Sequence, residues 1–222
     1  MPQVSFDELT TQVSFGSHLA SFPTDTVPAL AAQPQQAALI FTAKQRSFDK
    51  PLILMAATVT DIWDYVEGTE AERYQWELVV NQHLPGALTL VLPASDRVPA
   101  IMKSQNPSTI GIRVPNHAIA QAILAKTGAL ATTSANLSGQ PPLQIMTDIE
   151  AQFPKVLTLS PDAIQQIAGM PPPIVSGIPS SGIPSSSIPS SGIPSTVIRW
   201  HGTGWEILRQ GAIDLHGRSY KD

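Results

Sequence analysis

Leu130-Ala-Thr-Thr-Ser-Ala-Asn-Leu-Ser-Gly139 begins as a short apolar run and becomes a string of small hydroxyl and amide residues. Leu130 to Thr133 reads as a buried strand, and the remainder as the loop at its end. In open α/β sheets ligands bind at strand ends. Polar motifs beside short apolar runs recur along the chain. They stand at Ser21-Phe-Pro-Thr-Asp-Thr-Val27, at Lys44-Gln-Arg46 with Lys50-Pro-Leu52, at Gly111-Ile-Arg-Val-Pro115, and at Ser195-Thr-Val197 followed by Leu208-Arg-Gln-Gly211. A packed core requires none of them. Their distribution predicts one anion-binding cleft assembled from many parts of the chain.

The runs between these motifs set the fold class. Ser5-Phe-Asp-Glu8 is a capping box that opens a first helix. Further helices are expected from Pro34 to Lys44, over Asp61–Val66, Glu70–Leu84 and Asp148–Phe153, and from a cap at Asn116 to Ala125, ended by Gly128. Strands are expected at His18–Phe22, Leu52–Ala56, Leu88–Leu92, Thr109–Val114, Leu130–Thr133 and Val156–Leu159, with Thr196–Trp200 and Glu206–Leu208 as a closing hairpin. Helices and strands mix without a strict βαβ rhythm. The expected fold is therefore α/β: a twisted, mixed, open sheet flanked by helices, with a concave ligand cleft. Residues 1–170 form the α/β domain and 195–222 the C-terminal strands that complete it. Between them, 171–194 is a Pro/Ser/Gly-rich linker or lid built on Ile178-Pro-Ser, Ile183-Pro-Ser, Ile188-Pro-Ser and Ile193-Pro-Ser.

Composition narrows the function. The chain has 222 residues, a net charge of −4 and no cysteine. Its length suits one large domain, and disulfides, thiolate zinc sites and cysteine catalysis are excluded. The acidic balance makes the surface as a whole no magnet for nucleic acid, though a local basic patch is allowed. No apolar run reaches the roughly 18 residues of a membrane helix, and the N-terminus shows no secretory signal. A cytoplasmic protein with no membrane partner is expected.

The motifs themselves admit two readings each. Lys44, Arg46 and Lys50 can grip a triphosphate, Arg as a planar fork and Lys as a point charge; equally, Lys44 can complement a helix dipole and Arg46 can be solvated. Thr132 to Asn136 can bring hydroxyls and backbone N–H groups to a phosphate, or form an Asx/Ser turn. Arg113, between Ile112 and Val114, either faces solvent or receives a carboxylate ligand. Asp25 reads as part of a turn and Thr26 as a ligand contact. The P-loop, the dinucleotide fingerprint and the zincin motif are absent, and the five histidines are scattered. Catalysis by positioning and charge stabilisation is expected, with no covalent nucleophile.

Taken in order, the motifs resemble the YrdC family of threonylcarbamoyl-AMP synthases, from Phe22 to Gly211. The family pattern runs Pro-Thr-[Asp/Glu]-Thr-Val-Tyr-Gly, Lys-x-Arg, Pro-Leu-Ile, Pro-Gly-Pro, Arg-Val-Pro, Ser-Ala-Asn-x-Ser-Gly, Ser-Thr-Val and Arg-x-Gly. The resemblance implies a nucleotidyltransferase that joins L-threonine, bicarbonate and ATP, the last carrying Mg²⁺, into threonylcarbamoyl-AMP and pyrophosphate. It implies a product consumed by transferase partners that modify tRNA. It assigns Lys44 and Arg46 as catalytic, and Lys44, Arg46, Lys50, Thr109, Ser134, Asn136 and Arg209 to ATP. Thr26, Arg113, Thr132 and Ser195 are assigned to threonine, and no metal ligand comes from the protein.

The chain departs from that pattern at Pro28-Ala29, where the family has Tyr-Gly, and at Met55, near a histidine of longer relatives. It also ends before the C-terminal domain those relatives carry. Ser180, Ser185 and Ser190 repeat the setting of Ser195, but Ser195 is favoured because it alone continues into Thr196-Val-Ile. Two other readings accompany the synthase: an RNA-binding relative in tRNA or ribosome maturation, and a paralogue acting on another amino acid.

Overall fold

The computed structural model describes residues 3–103, 108–168 and 190–215. The expected linker or lid at 171–194, with Ser180 and Ser185, lies outside the described residues up to 189. The helices are α1 (Phe6–Ser14), α2 (Ala38–Lys44), α3 (Val59–Ile62), α4 (Glu70–His83), α5 (Ala118–Thr127), α6 (Met146–Gln152) and α7 (Pro161–Ala168). The strands are β1 (Gln3–Val4), β2 (Ala20–Phe22), β3 (Ala29–Ala32), β4 (Ile53–Met55), β5 (Leu88–Pro93), β6 (Thr109–Arg113), β7 (Leu130–Ser134), β8 (Thr158–Leu159), β9 (Thr196–Trp200) and β10 (Trp205–Arg209). Eight of these strands make one sheet in the order β10-β9-β5-β6-β4-β7-β3-β2. The pairs β4–β6 and β5–β9 are parallel and the others antiparallel, so the sheet is mixed as expected.

Local chemistry starts most elements where the sequence places them. The Ser5 hydroxyl accepts from the Glu8 N–H, and Thr69 with Glu72 forms a reciprocal capping box that opens α4. Two expectations are corrected. Pro34 begins a short 3₁₀ turn, with α2 starting only at Ala38, and the residue that caps α5 is His117 rather than Asn116. Strand β3 was not expected at all. Its sequence, Ala-Leu-Ala-Ala, has little strand preference; pairing with β2 on one side and β7 on the other supplies what the side chains do not.

Strand alternation divides the sheet into two faces. Leu54, Leu90, Ile112, Ala131 and Ile198 pack one face against Phe41 of α2 and Trp76 and Val80 of α4. On the other face Phe22, Ala29, Ala31, Met55 and Leu130 pack against Leu9 of α1, Ile123 of α5 and Ile167 of α7. That second helical layer covers the β2–β3–β7 end of the sheet. Beyond Met55 the same face lines a cavity of about 620 Å³. Among the described residues, no helix is long and apolar enough to cross a membrane.

Candidate active site

The floor of the cavity follows from period-two alternation on neighbouring strands: Ile53 and Met55, Thr89 and Val91, Thr109, Gly111 and Arg113, Thr132 and Ser134, Val197 and Arg199. Register turns these into rows across the sheet. Met55 pairs with Arg113, while Thr132, Ile53, Gly111, Val91 and Arg199 follow one another from strand to strand. Thr109 and Arg113 lie four residues apart on β6, so the floor separates them by roughly 13 Å.

Arg113 marks one end and is 4 % exposed. Its Nη2 donates to Asp25 Oδ1 at 2.6 Å, Nη1 to Thr26 Oγ1 at 2.7 Å and Nε to the Gly86 carbonyl at 3.1 Å. These bonds use one N–H on each nitrogen, which leaves one further donor on Nη1 and one on Nη2. Burial pulls the guanidinium below its ordinary pKa; the Asp25 carboxylate opposes that shift and the charge of Arg209 adds to it. Asp25 sits in the turn expected for it. The Thr24 hydroxyl holds this turn, donating to the Val27 carbonyl at 2.8 Å and accepting from the Thr26 N–H at 3.2 Å. Ser190, Ser191 and Gly192 cross over this turn. The N–H groups of Ser191 and Gly192 reach the Asp25 and Thr26 carbonyls at 3.1 and 2.9 Å, and the Ser190 hydroxyl donates to the Thr26 carbonyl.

Ser195 follows directly. Its hydroxyl lies 2.8 Å from that of Thr89, and Arg209 donates to its carbonyl through Nη2 at 2.8 Å and Nε at 3.2 Å. Gly211 completes the support by close approach: a Cβ there would lie 2.2 Å from the Pro194 carbonyl oxygen and 2.5 Å from the Ser195 carbonyl carbon. Backbone has to shift to admit even a methyl group, so Gly211→Ala is expected to cost about 1–3 kcal/mol. Urea unfolding measures it, and an unchanged midpoint would show that the Ser195 segment gives way freely.

Arg46 marks the other end. Gln45 ends α2 in the left-handed region at φ 49°, which turns the chain toward the cavity. Arg46 Nη2 donates to the Pro51 carbonyl at 3.0 Å, while its Nε is buried without a partner. Of the residues singled out from sequence, Thr26, Arg46, Thr109, Arg113, Thr132, Ser134, Ser195 and Arg209 line this cavity. Lys44, Lys50 and Asn136 do not.

Lys44 is wholly buried, and its ammonium donates to the Ser134 carbonyl and to Asn136 Oδ1. Desolvation, with the charge of Arg46 adding to it, lowers its pKa from 10.5 to about 7. Asn136 donates to the Leu137 and Gln140 carbonyls, so it closes the loop after β7. Lys50 reaches Ser138 Oγ at 3.4 Å on the surface. The cavity also contains residues the sequence reading passed over: Thr89, Lys103 and Arg199. Alternation from Val197 would have reached Arg199, two residues on along β9.

Comparison with known proteins identifies the family and the fold. The Sua5/YciO/YrdC family model, described as telomere recombination, matches residues 16–184. A threonylcarbamoyl-AMP synthase of Idiomarina loihiensis is 33% identical over 139 residues, which cover 61% of this chain and 74% of the relative. Among solved structures, P. abyssi Sua5 complexed with L-threonine superposes with a TM-score of 0.73 at 26% identity, over 93% of this chain and 54% of that one. This chain therefore spans about half the length of that protein. E. coli YciO, at 20% identity, shares the fold with a TM-score of 0.72, over 95% of this chain and 91% of its own. The mixed sheet is the fold of these solved structures, and the chain belongs to the Sua5/YciO/YrdC family.

Proposed function

We propose that this protein is a nucleotidyltransferase of the cytoplasm that makes threonylcarbamoyl-AMP from L-threonine, bicarbonate and MgATP. The observation that carries the reading is one cavity lined by the guanidinium groups of Arg113 at one end and Arg46 at the other. No carboxylate stands among the described residues lining it. Arg113, with Thr26, Thr132 and Ser195, holds the amino acid by its carboxylate. Arg46, Thr109, Ser134 and Arg209 hold ATP, with Lys50 near the mouth. Lys44 and Asn136 brace the loop that follows Ser134.

The amine of threonine and bicarbonate give a carbamate and water. A carbamate oxygen then bonds to the α-phosphorus, the bond from that phosphorus to the bridging oxygen breaks, and its electron pair leaves on pyrophosphate. Little covalent work falls to the protein, so positioning and charge stabilisation supply the rate. The mixed anhydride is reactive and passes to transferase proteins that modify tRNA.

Pyrophosphate release from MgATP and bicarbonate, with L-threonine, with L-serine and with neither, tests the reading. Threonine-dependent release is the expected result. Release with serine alone would move the activity to another amino acid. Folded protein that releases none, yet binds RNA with steep salt dependence, would replace the enzyme by an RNA-binding relative.

A further inference from the structure

We propose that Lys103, on the connection between β5 and β6, binds the pyrophosphate half of ATP and forms with Arg46 the clamp that receives the leaving group. The proposal rests on the synthase reading above and extends it to a residue that the motifs do not include. Lys103 lines the cavity. Two hydrogen bonds bring its neighbourhood to that of Arg46: Arg46 Nη2 donates to the Pro51 carbonyl at 3.0 Å, and the next residue, Leu52, donates from its N–H to the Met102 carbonyl at 3.5 Å.

In-line displacement says which end of the cavity needs positive charge. The attacking oxygen and the leaving oxygen stand on opposite sides of the α-phosphorus. The carbamate comes from the amino acid seated at Arg113, so pyrophosphate departs away from Arg113. Thr109, at the far end of β6, marks that direction.

The cations around the cavity differ in what already holds them. Arg113 is paired with Asp25 and Arg199 with Glu206, and Arg209 supports the Ser195 carbonyl. Lys103 and Arg46 take part in none of the salt bridges among the described residues. The bond Lys103 makes to the Ser95 carbonyl is long, at 3.4 Å, and an ammonium gives up such a contact readily for phosphate oxygens.

The test compares wild type, Lys103→Ala and Lys103→Arg in three quantities: KM for ATP, the inhibition constant of added pyrophosphate, and KM for threonine. Lys103→Ala is expected to raise the first two by about tenfold, the loss of one charge-assisted contact, and to leave the third unchanged. Lys103→Arg, which keeps the charge, restores most of the loss. Unchanged pyrophosphate inhibition in Lys103→Ala overturns the proposal, as does a threonine KM that rises in step with the others. Calorimetric titration of wild type with MgATP separates the two claims: no binding there sinks the synthase reading itself, whereas binding that Lys103→Ala leaves intact sinks the role of Lys103 alone.

Discussion

Replacing Arg113 with methionine is expected to abolish threonine-dependent pyrophosphate release and, at the same time, to cost about 3–5 kcal/mol of folding stability. Both effects follow from one geometry. The guanidinium is 4 % exposed and Asp25 is 8 % exposed, so removing the arginine leaves a carboxylate with neither water nor a cation to satisfy it. The Thr26 hydroxyl loses its 2.7 Å donor as well. The double variant Asp25→Asn/Arg113→Met separates the consequences. It removes the orphaned charge, so urea unfolding is expected to recover much of the stability, while release stays abolished because no fork remains for the substrate carboxylate. Arg113→Lys keeps the charge but cannot hold both Asp25 and a second carboxylate in a planar fork. It is expected to keep the fold and raise the threonine KM by about 10²-fold, near the cost of one lost charged hydrogen bond. A stability loss under about 1 kcal/mol for Arg113→Met would place the pair among weakly coupled surface bridges. Retained dependence on threonine would remove Arg113 from the amino-acid site.

Arg113 also shows where sequence reading stops. A charge between Ile112 and Val114 signals something unusual, and the residue does lie on the cavity floor. What makes its burial tolerable is Asp25, 88 residues earlier in the chain; no local pattern carries that information, and Asp25 by itself reads as a turn residue. Thr132 and Ser134 were legible because small hydroxyl residues follow directly on an apolar run; β7 extends through Ser134, one residue beyond the expected strand, and sets both on the cavity face. Strand β3 was not, because its alanines take their conformation from the strands on either side. Lys103 was missed for a related reason. It stands alone in sequence and gains meaning only when the Leu52–Met102 contact sets it beside the loop that carries Arg46. Family motifs bring out residues that recur together, and a cation that belongs to none of them falls between.

Lys44→Met is expected to flatten the dependence of stability on pH and to slow turnover by about 10²-fold, the scale of a 1 Å misplacement at a reacting centre. From its place after a helix and before Arg46, Lys44 reads as a phosphate ligand. In the fold it is wholly buried, and its amine holds the Ser134 carbonyl and Asn136 Oδ1, while the Ser138 N–H returns to the Lys44 carbonyl at 3.1 Å. The lysine thus pins the loop after β7 from behind, and Ser134 keeps its place in the cavity through it. The sign of the pH effect follows from the pKa, lowered by burial from 10.5 to about 7. Below about 7 both folded and unfolded chains carry the proton, and the full cost of burying the charge is present. Between about 7 and 10.5 only the unfolded chain retains it, so the lysine makes wild type more stable as pH rises, on the order of 2 kcal/mol from pH 7 to pH 9. Methionine fills similar space and titrates nowhere, so the difference between the two proteins isolates this group from every other ionisation. Urea unfolding of both at several pH values reads the slope, and pyrophosphate release at the same values reads the loop. Parallel stability curves would mean that Lys44 stays charged inside the fold. A methionine variant with unimpaired turnover would mean that Ser134 is held without it.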